Sequence, residues 1–443
     1  MTYRDFDIVL FGATGFVGRL TAQHLADEAK GAADGVRIAL AGRSQSKLED
    51  IRAELTGPAR EWPLLVVDAA DSGAVQDLAA RTKVVVTTVG PYQKYGKALV
   101  AACAAAGTHY CDLTGEVLFV KDTIDKHDKA ARRSGARIVH ACGFDSIPSD
   151  LGVFLTWRTA AEDGAGDLAR TQLAVTQLKG GFSGGTVDSA RNQAAEVVKD
   201  ASARAVMANP WSLADGPRPA RPARSAATDP PAHAARPTSV ASAPAAILDA
   251  VLSRASKIAK SSPVRRNPAG HFTGPFIMAN FNTRVVCRSA SLLGYGEGFR
   301  YGEHTDFGPG PKGALMATGM SVGLGVGGLA LAFGPTRKLV DPLLPKPGEG
   351  PSDEAMARGR FRMDITAETT SGARYLTTVS APYDPGYSGT AIMLGQAALA
   401  LVNDTASLPD RAGVLTPSSG IGMPLIERRR RHGFSFETRR TDQ

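Results

Sequence analysis

The chain has 443 residues, 43% of them hydrophobic, which fits a globular protein large enough for two domains. Its four cysteines are scattered without a C-x-x-C pair and no signal-like apolar run precedes the first strand, so we expect a cytoplasmic protein with reduced thiols rather than a disulfide-framed secreted one. A net charge of +8 suits anionic ligands, membrane surfaces or acidic partners, but no motif predicts nucleic-acid binding and no His/Cys spacing predicts a metal site.

The first predicted element is a strand that turns through glycines into a helix. The strand covers residues 6–11 and the amphipathic helix covers 17–29. Such a turn points free N–H groups and the positive end of the helix dipole at a pyrophosphate. We therefore predict a dinucleotide site, with a purely structural glycine turn as the alternative. Its phosphate-binding residues would be Gly12, Ala13, Thr14, Gly15, Phe16, Val17 and Gly18.

The end of the second predicted strand, 36–41, indicates which dinucleotide binds. An NAD enzyme usually carries Asp or Glu there, to accept hydrogen bonds from the ribose hydroxyls. Here the strand is followed by Gly42, Arg43 and Ser44, with Lys47 one helical turn on. A guanidinium grips a 2′-phosphate that a carboxylate would repel, so we predict NADP(H). The alternative is a solvated arginine at a helix start capped by Ser46 and Glu49, and both interpretations can hold together.

Strands and helices alternate up to about residue 142. Further strands are predicted at 64–67, 84–89, 110–113 and 137–141. This alternation predicts an α/β fold, with a Rossmann-like doubly wound parallel sheet in residues 1–147. Ligands of such sheets bind beyond the carboxyl ends of the strands. The crevice should therefore be lined by Asp68, Val89, Gly90, Pro91, Tyr92 and residues 143–146.

After Pro148 the pattern changes to that of a second, α+β domain covering 148–387 and built on a mainly antiparallel sheet. The predicted elements are a strand within 168–178, a helix at 186–207, a strand at 281–289 and a hairpin of 360–369 with 374–379. Residues 212–245 are rich in Pro, Ala, Ser and Arg and are predicted to form a mobile insertion. Residues 428–443 form a basic tail, whose simplest interpretation is a solvated one.

One later stretch, 314–333, contains no charge in 20 residues. Gly319, Gly323 and Gly327 form a stripe of small residues on one helical face, and the length could span a bilayer. The additional Gly325 and Gly328 and the moderate hydrophobicity argue against a span. A buried or interfacial segment near the substrate and a membrane-spanning helix both remain open.

Five ordered motifs in the first domain carry a family resemblance. They are 12–16 (GATGF), 41–44 (AGRS), 89–96 (VGPYQKYG), 107–116 (GTHYCDLTGE) and 142–150 (CGFDSIPSD). With them, the chain resembles the saccharopine dehydrogenase-like oxidoreductases, and most closely the trans-acting enoyl reductases of mycobacterial lipid biosynthesis. The likeness extends to 281–284, 345–348 and 413–417.

The resemblance implies an NADPH-dependent reductase that serves a polyketide synthase lacking its own enoyl reductase. Its substrate would be an α,β-unsaturated acyl chain on an acyl carrier domain, and its product would enter complex glycolipids. Chain order in the family also implies that a helix at about 388–404 returns to the first domain. A cytoplasmic protein held peripherally at the inner face of the plasma membrane would suit such a lipid product.

Enoyl reduction needs a proton as well as a hydride. Candidate donors are Tyr92, Tyr95 and Asp145, each with an alternative structural role in packing or helix capping. A reductase of an amino-acid-derived imine is a second possibility, although no cationic cluster that would hold its carboxylates is evident. A non-catalytic NADP-binding protein at a membrane is a third.

Overall fold

The computed structural model describes residues 4–30, 35–181, 184–216, 264–332 and 350–442. Within these ranges the strands, in chain order, are β1 Phe6–Phe11, β2 Ile38–Gly42, β3 Leu64–Val66, β4 Thr82–Thr87, β5 His109–Asp112, β6 Arg137–Val139, β7 Leu168–Lys179, β8 Arg265–Arg266, β9 Phe272–Gly274, β10 Arg300–Asp306, β11 Arg360–Thr369, β12 Arg374–Ala381, β13 Gly413–Leu415 and β14 Ser435–Arg440.

The described helices alternate with these strands in the first third of the chain and cluster later. They are α1 Phe16–Ala29, α2 Gln45–Glu54, α3 Ser72–Arg81, α4 Tyr92–Tyr95, α5 Lys97–Ala106, α6 Val117–Ser134, α7 Ile147–Glu162, α8 Gly184–Lys199, α9 Ala201–Ala208, α10 Ala279–Leu293, α11 Gly310–Ala332, α12 Asp353–Ala357, α13 Ser388–Asn403, α14 Pro417–Gly420 and α15 Met423–Arg431, with a 3₁₀ turn at Gly57–Glu61.

The first sheet is parallel throughout and confirms the predicted fold class. Its strand order is β13-β6-β5-β4-β1-β2-β3, with the chain reversing direction across the sheet between β1 and β4. Alternate residues of β1 face two helical layers: Ile8 and Leu10 pack with α1 and α13, whereas Val9 and Phe11 pack with α3, α5 and α6. Burial on both faces explains why the strands are continuous apolar runs.

Two C-terminal elements, one helix and one strand, return to the first domain. Helix α13 packs against α1, β4 and β5, and strand β13 pairs with β6 in parallel. The motif at 413–417 carries this last strand. Its three residues are too short a run to predict a strand from periodicity, because the alternation typical of a strand is recognised over about four to eight residues.

The second sheet has the order β14-β12-β11-β7-β10-β9-β8. Its pairs are antiparallel except β10 with β7, as expected for a mainly antiparallel sheet. The predicted hairpin is present as β11 and β12, turning at Gly372, whose φ is +88°. Helix α7 crosses from the first sheet to the second, and Gly152 lies where a Cβ would stand 2.4 Å from Ile365.

The strand predicted at 281–289 is wrong, because these residues lie inside helix α10. The helix is buried on nearly all sides, so its polar residues do not mark a solvent face. Arg288 is only 1% exposed and is satisfied by the backbone carbonyls of Leu213 and Val414. Polar residues that are hydrogen-bonded inside the protein hide the helical period, and the remaining apolar alternation imitates a strand.

The interpretation of residues 428–443 as a solvated tail is also wrong. Arg428–Arg431 form the last turns of α15, and β14 pairs with β12 at the edge of the second sheet. Arg429 is completely buried and donates to the carbonyl of Met393. Of the predicted mobile insertion 212–245, residues 217–245 lie outside the described residues.

Helix α11 contains all of the uncharged stretch 314–333 except Phe333, which lies outside the described residues. Gly313, Ala317 and Ser321 form its buried stripe, and Leu315 is 74% exposed. Among the helices that the structure describes, none combines the length and hydropathy that crossing a membrane requires.

Candidate cofactor and substrate site

The turn between β1 and α1 is built by close backbone contacts. Gly12 has a φ of +95°, and a Cβ there would lie 2.7 Å from the hydroxyl of Thr88. That hydroxyl donates to the carbonyl of Gly12 over 2.9 Å, which joins this loop to the one after β4. A Cβ on Gly18 would lie 2.1 Å from the same carbonyl, so α1 can approach the turn only because residue 18 is glycine.

The start of α1 has the features of an anion seat. Its cap, Gly15, contributes no side chain, and the first turn contains no acidic residue. The N–H groups of Phe16, Val17 and Gly18 have no hydrogen-bond acceptor among the described residues. Above Gly15 a Cβ would meet only the carbonyl of Gly12, at 3.5 Å, so the loop is open on this side. Unpaired donors, a helix N-terminus and free space together fit a pyrophosphate.

The other residues of the predicted phosphate loop support this seat. Ala13 is buried and its N–H donates to the carbonyl of Ala41, which holds the loop on β2. Thr14 lies partly exposed beside Gly42. The ring of Phe16 stands edge-on to Tyr387 at 5.0 Å, which connects the loop to the segment before α13.

The loop after β2 carries Arg43, the residue predicted to bind the 2′-phosphate. Arg43 is exposed, and no described residue pairs with its guanidinium. Ser44 rather than Ser46 caps α2, accepting from the N–H of Lys47 at 3.4 Å, so the alternative cap by Ser46 and Glu49 is wrong. Asp68, beyond β3, is exposed and accepts from the N–H of Ala70, which fixes the turn before α3. Among the described residues, the carboxyl end of β2 therefore presents the unpaired guanidinium of Arg43 and no carboxylate.

The loop after β4 is held by a carboxylate from the next strand–helix turn. Val89 and the exposed Gly90 precede a cis peptide to Pro91, and α4 begins at Tyr92. The buried carboxylate of Glu116 accepts from the N–H groups of Tyr92 and Gln93, each at 2.8 Å, and from the hydroxyl of Ser189 at 2.6 Å. Glu116 therefore caps α4 and joins it to α8 of the second domain.

The two tyrosine candidates lie away from open space. The hydroxyl of Tyr92 donates to the carbonyl of Thr87 at 3.2 Å, and its ring stacks on Phe119. Burial, with the nearby Asp112, raises the pKa of Tyr92 well above its usual range. Tyr95 is half-buried, with the ammonium of Lys94 over its ring. This arrangement matches the packing role that the sequence left open for both.

Asp145 lies in a pocket that both domains line. The carboxylate accepts no hydrogen bond from any described residue, and burial alone raises its pKa to about 7. A carboxyl group with this pKa is partly protonated at neutral pH and can donate a proton. The pocket is otherwise lined by Val17, Leu113, Gly143, Phe144, Leu178, Gly180, Gly181, Pro385, Gly386 and Thr390.

Two residues that the sequence did not single out hold the walls of this pocket. The hydroxyl of Thr390 accepts from the N–H of Phe144 at 3.0 Å and donates to the carbonyl of Pro385 at 2.8 Å. Asp384 accepts from the N–H groups of Tyr387 and Gly181. Neither belongs to a motif, and only the fold brings residues 384–390 to the end of β6.

A polar chain leads from the pocket into the second domain. Ser146, next to Asp145, donates to Asn282 at 3.0 Å, and Asn282 donates to Glu303 at 3.0 Å. Tyr301 donates to the other oxygen of Glu303 at 2.6 Å. Burial raises the pKa of Glu303 to about 7. Sequence reasoning missed this chain because it placed Asn282 on a strand.

The chain is similar to known proteins both in sequence and in fold. The profile of the saccharopine dehydrogenase NADP-binding domain matches residues 8–139. A trans-acting enoyl reductase of Mycobacterium ulcerans is 41% identical over 432 residues, which are 96% of each chain. A Mycobacterium tuberculosis protein provisionally given the same name is 44% identical over 452 residues, with 99% of each chain covered.

The fold has a counterpart among solved structures. Saccharopine dehydrogenase (L-Glu forming) from Saccharomyces cerevisiae superposes with a TM-score of 0.50 at 12% identity, covering 98% of this chain and 100% of that one. At this identity the likeness is one of fold. The matched domain confirms the predicted cofactor, NADP(H).

Proposed function

We propose, from the premise that the chain belongs to the trans-acting enoyl reductase family of saccharopine dehydrogenase-like oxidoreductases, that it reduces an α,β-unsaturated acyl thioester with NADPH. The substrate chain is carried by the acyl carrier domain of a separate polyketide synthase, and the product enters complex glycolipids. The names of the relatives support the reaction class. The carrier, the lipid and the place of work are our inferences.

The observation that carries the proposal is the position of Asp145 beside the phosphate loop. Val17, at the start of α1, lines the same pocket as Asp145, so we infer that this pocket receives the reactive end of a cofactor seated on that loop. Asp145 is the single charged residue among the lining residues that the structure describes. A lining of mainly apolar and glycine residues with one partly protonated acid suits a neutral enoyl thioester.

The same lining disfavours the second candidate substrate. An imine made from an amino acid and an oxo acid carries carboxylates, which are normally bound by arginine or lysine. The described lining residues include no basic side chain.

The chain's own residues perform two tasks in this reaction. The first is to hold the cofactor: the α1 N–H groups take the pyrophosphate, Arg43 with Ser44 and Lys47 takes the 2′-phosphate, and the 89–91 loop lies at the nicotinamide end. NADPH, when bound, supplies the hydride that reaches the β-carbon.

The second task is to deliver the proton. Hydride addition leaves an enolate whose α-carbon requires a proton, and Asp145 donates it from its carboxyl oxygen before regaining one from solvent. The largely apolar lining raises the pKa of Asp145 to about 7, because a carboxylate is poorly solvated there, so part of the Asp145 population carries the proton at neutral pH.

A substrate panel tests the proposal. Purified protein is given NADPH with an enoyl pantetheine thioester, the same enoyl chain on an acyl carrier domain, or a mixture of glutamate and an oxo acid, and cofactor oxidation is followed. We expect oxidation with both thioesters, faster with the carrier-bound one. Turnover of the imine mixture alone would replace this function with the alternative one, and NADPH binding without turnover of any substrate would indicate a non-catalytic protein.

We further infer that the protein works in the cytoplasm, peripherally on the inner face of the plasma membrane. Leu315, Met316 and Met320 are exposed on α11, and Lys312 is exposed in its first turn. Strand β9 packs against α11, and β8, with exposed Arg265 and Arg266, pairs with β9. Apolar side chains beside basic ones suit an anionic lipid surface.

A further inference from the structure

A cluster of two histidines, one glutamate and one glutamine lies outside the cofactor and substrate site. His24 and Glu28 are one turn apart on α1, and His432 follows α15. One ligand-type atom of each, a ring nitrogen of each histidine and a carboxylate oxygen of the glutamate, lie within 4.8 Å of one another. All three side chains are half-buried.

The fourth member, Gln396 of α13, contacts the other three at once. Its amide nitrogen is 3.0 Å from His24 Nε2, 3.0 Å from Glu28 Oε2 and 2.9 Å from His432 Nε2. Glu28 Oε2 and His432 Nε2 are 3.5 Å apart. Ligand atoms about 2.1 Å from a tetrahedral ion stand about 3.4 Å from each other, so these separations are close to the edges of such a site.

The amide of Gln396 has too few hydrogens to bond all of its neighbours in the cluster. An amide NH₂ has two hydrogens, whereas three ring or carboxylate atoms lie within bonding distance of it. The nitrogen and oxygen of a glutamine amide are assigned from their surroundings. Turning the amide over replaces its hydrogen bond from Arg428 and presents Oε1 to the cluster. With each neutral imidazole carrying its hydrogen on Nδ1, four electron-pair donors then face one another. A cation at the centre satisfies all four.

The surroundings hold the donors in place. A Cβ on Gly395 would lie 2.7 Å from the His24 ring, so a glycine there allows α13 to approach α1. The carbonyl of His432 accepts from Tyr383 at 2.9 Å. Arg428, which reaches the amide oxygen of Gln396 at 3.3 Å, is paired with both oxygens of Asp404 and can release the amide without losing its charge partner.

We propose that His24, Glu28, His432 and Gln396 form a zinc site that joins α1 of the first domain to the C-terminal helices α13 and α15. Two imidazoles and a carboxylate are ligands that Zn²⁺ prefers, and the amide oxygen of Gln396 would complete the tetrahedron. Four protein ligands are typical of a structural rather than a catalytic ion. Because α1 also forms the phosphate loop at its other end, the ion would stabilise the helix that seats the cofactor.

Zinc alone is the probe. Tag-free protein is stripped with chelator, titrated with ZnSO₄ by calorimetry and assayed for retained metal after dialysis, and its thermal midpoint is recorded with and without zinc. We expect one ion per chain and a zinc-dependent rise in the midpoint. Glu28→Gln keeps the shape and loses the charge, and should weaken binding at least about tenfold. His24→Ala should abolish it, while His127→Ala, on α6 outside the cluster, should bind like the wild type.

Gln396→Glu separates a metal site from a hydrogen-bonded cluster. A second carboxylate tightens zinc binding if the ion lies between them, but without an ion it places two carboxylates about 3 Å apart and lowers the midpoint of the stripped protein. Absence of zinc binding by the wild type, or binding that Glu28→Gln and His24→Ala leave unchanged, would overturn the proposal. NADPH turnover is not a readout here, so failure of the zinc site leaves the proposed function untouched.

Discussion

At the scale of single residues, Arg43 is expected to decide cofactor choice. Its guanidinium is exposed and unpaired among the described residues, beyond a strand without a terminal carboxylate. Arg43→Asp replaces an attraction to the 2′-phosphate by a repulsion. A charge-assisted contact contributes about 1.5–3 kcal/mol, so we expect NADPH affinity to fall by a factor on the order of 10 to 100 while NADH affinity changes little.

The control for this prediction is Arg300→Asp, which makes the same charge change at an exposed position on β10. Both cofactors are titrated into the three proteins by fluorescence. Equal affinity of the wild type for NADH and NADPH would contradict the role given to Arg43.

Asp145 should control both the rate and the stability of the protein. If it donates the proton, Asp145→Asn lowers turnover by about 10²–10⁴-fold with NADPH binding retained, and wild-type turnover falls as pH rises above about 7. A variant with full turnover, or a wild-type profile without this falling limb, would exclude Asp145 as the donor.

The same raised pKa predicts the pH dependence of folding. Because the folded pKa of about 7 lies above the ordinary value of 3.8, the folded state binds more protons than the unfolded state between these pH values. Stability is therefore lost as pH rises from about 4 to 7, and Asp145→Asn should remove that loss. Urea unfolding of both proteins at pH 5 and pH 8 measures it, and the stability of the variant relative to the wild type should be greater at pH 8 than at pH 5.

At the scale of elements, the first strand–turn–helix unit was predictable from sequence and the position of α10 was not. The glycine turn is specified locally, since each of its contacts lies within a few residues or on adjacent strands. Asn282 and Arg288 of α10 are satisfied by Glu303 and Val414, which are distant in sequence. No local pattern reports such partners, and the same holds for the bonds from Gly181 to Asp384 and from Phe144 to Thr390 at the pocket.

The turn also gives a prediction in which two glycines behave differently. A Cβ on Gly15 would meet only the carbonyl of Gly12, at 3.5 Å, and the extended backbone there, with φ of −78°, suits a β-branched residue. Gly15→Val should therefore fold normally and lose NADPH binding, because the side chain fills the place of the pyrophosphate. Gly18→Val should instead lower the thermal midpoint. A Gly15→Val protein with unchanged NADPH affinity would contradict the phosphate seat.

The carboxylate of Glu116 is expected to stabilise the 89–95 loop. Its carboxylate accepts two N–H groups of α4 and the hydroxyl of Ser189, and an amide cannot accept all three with equal strength. Glu116→Gln should cost about 1.5–3 kcal/mol of unfolding free energy and weaken NADPH binding. The exposed Glu49→Gln is the matched control in urea unfolding and cofactor titration, and equal behaviour of the two variants would show that the cap is dispensable.

At the scale of the whole molecule, the described surface concentrates its exposed apolar side chains on α11. Leu315, Met316, Met320 and Val322 are 74%, 49%, 41% and 38% exposed. A helix that is apolar on its solvent side usually has a partner. A test of membrane contact should change exposed side chains only. Deleting 314–333 would also remove the buried Ala317 and Ser321, and replacing 428–431 would remove the buried Arg429, so either change could unfold the protein.

The last prediction concerns membrane contact. The triple variant Leu315→Ser, Met316→Ser, Met320→Ser should lose binding to vesicles that contain phosphatidylglycerol, because the inserted apolar area is lost. Arg265→Glu with Arg266→Glu should weaken that binding and its salt dependence while sparing the apolar contribution, since each basic residue near an anionic surface contributes about 1 kcal/mol. Val66→Ser, at a 55% exposed position on β3, should change nothing. Vesicle sedimentation, with sedimentation velocity to detect self-association, distinguishes the outcomes. A wild type that ignores vesicles and dimerises through α11 would assign the face to a second copy of the chain, and loss of carrier binding alone in the triple variant would assign it to the synthase.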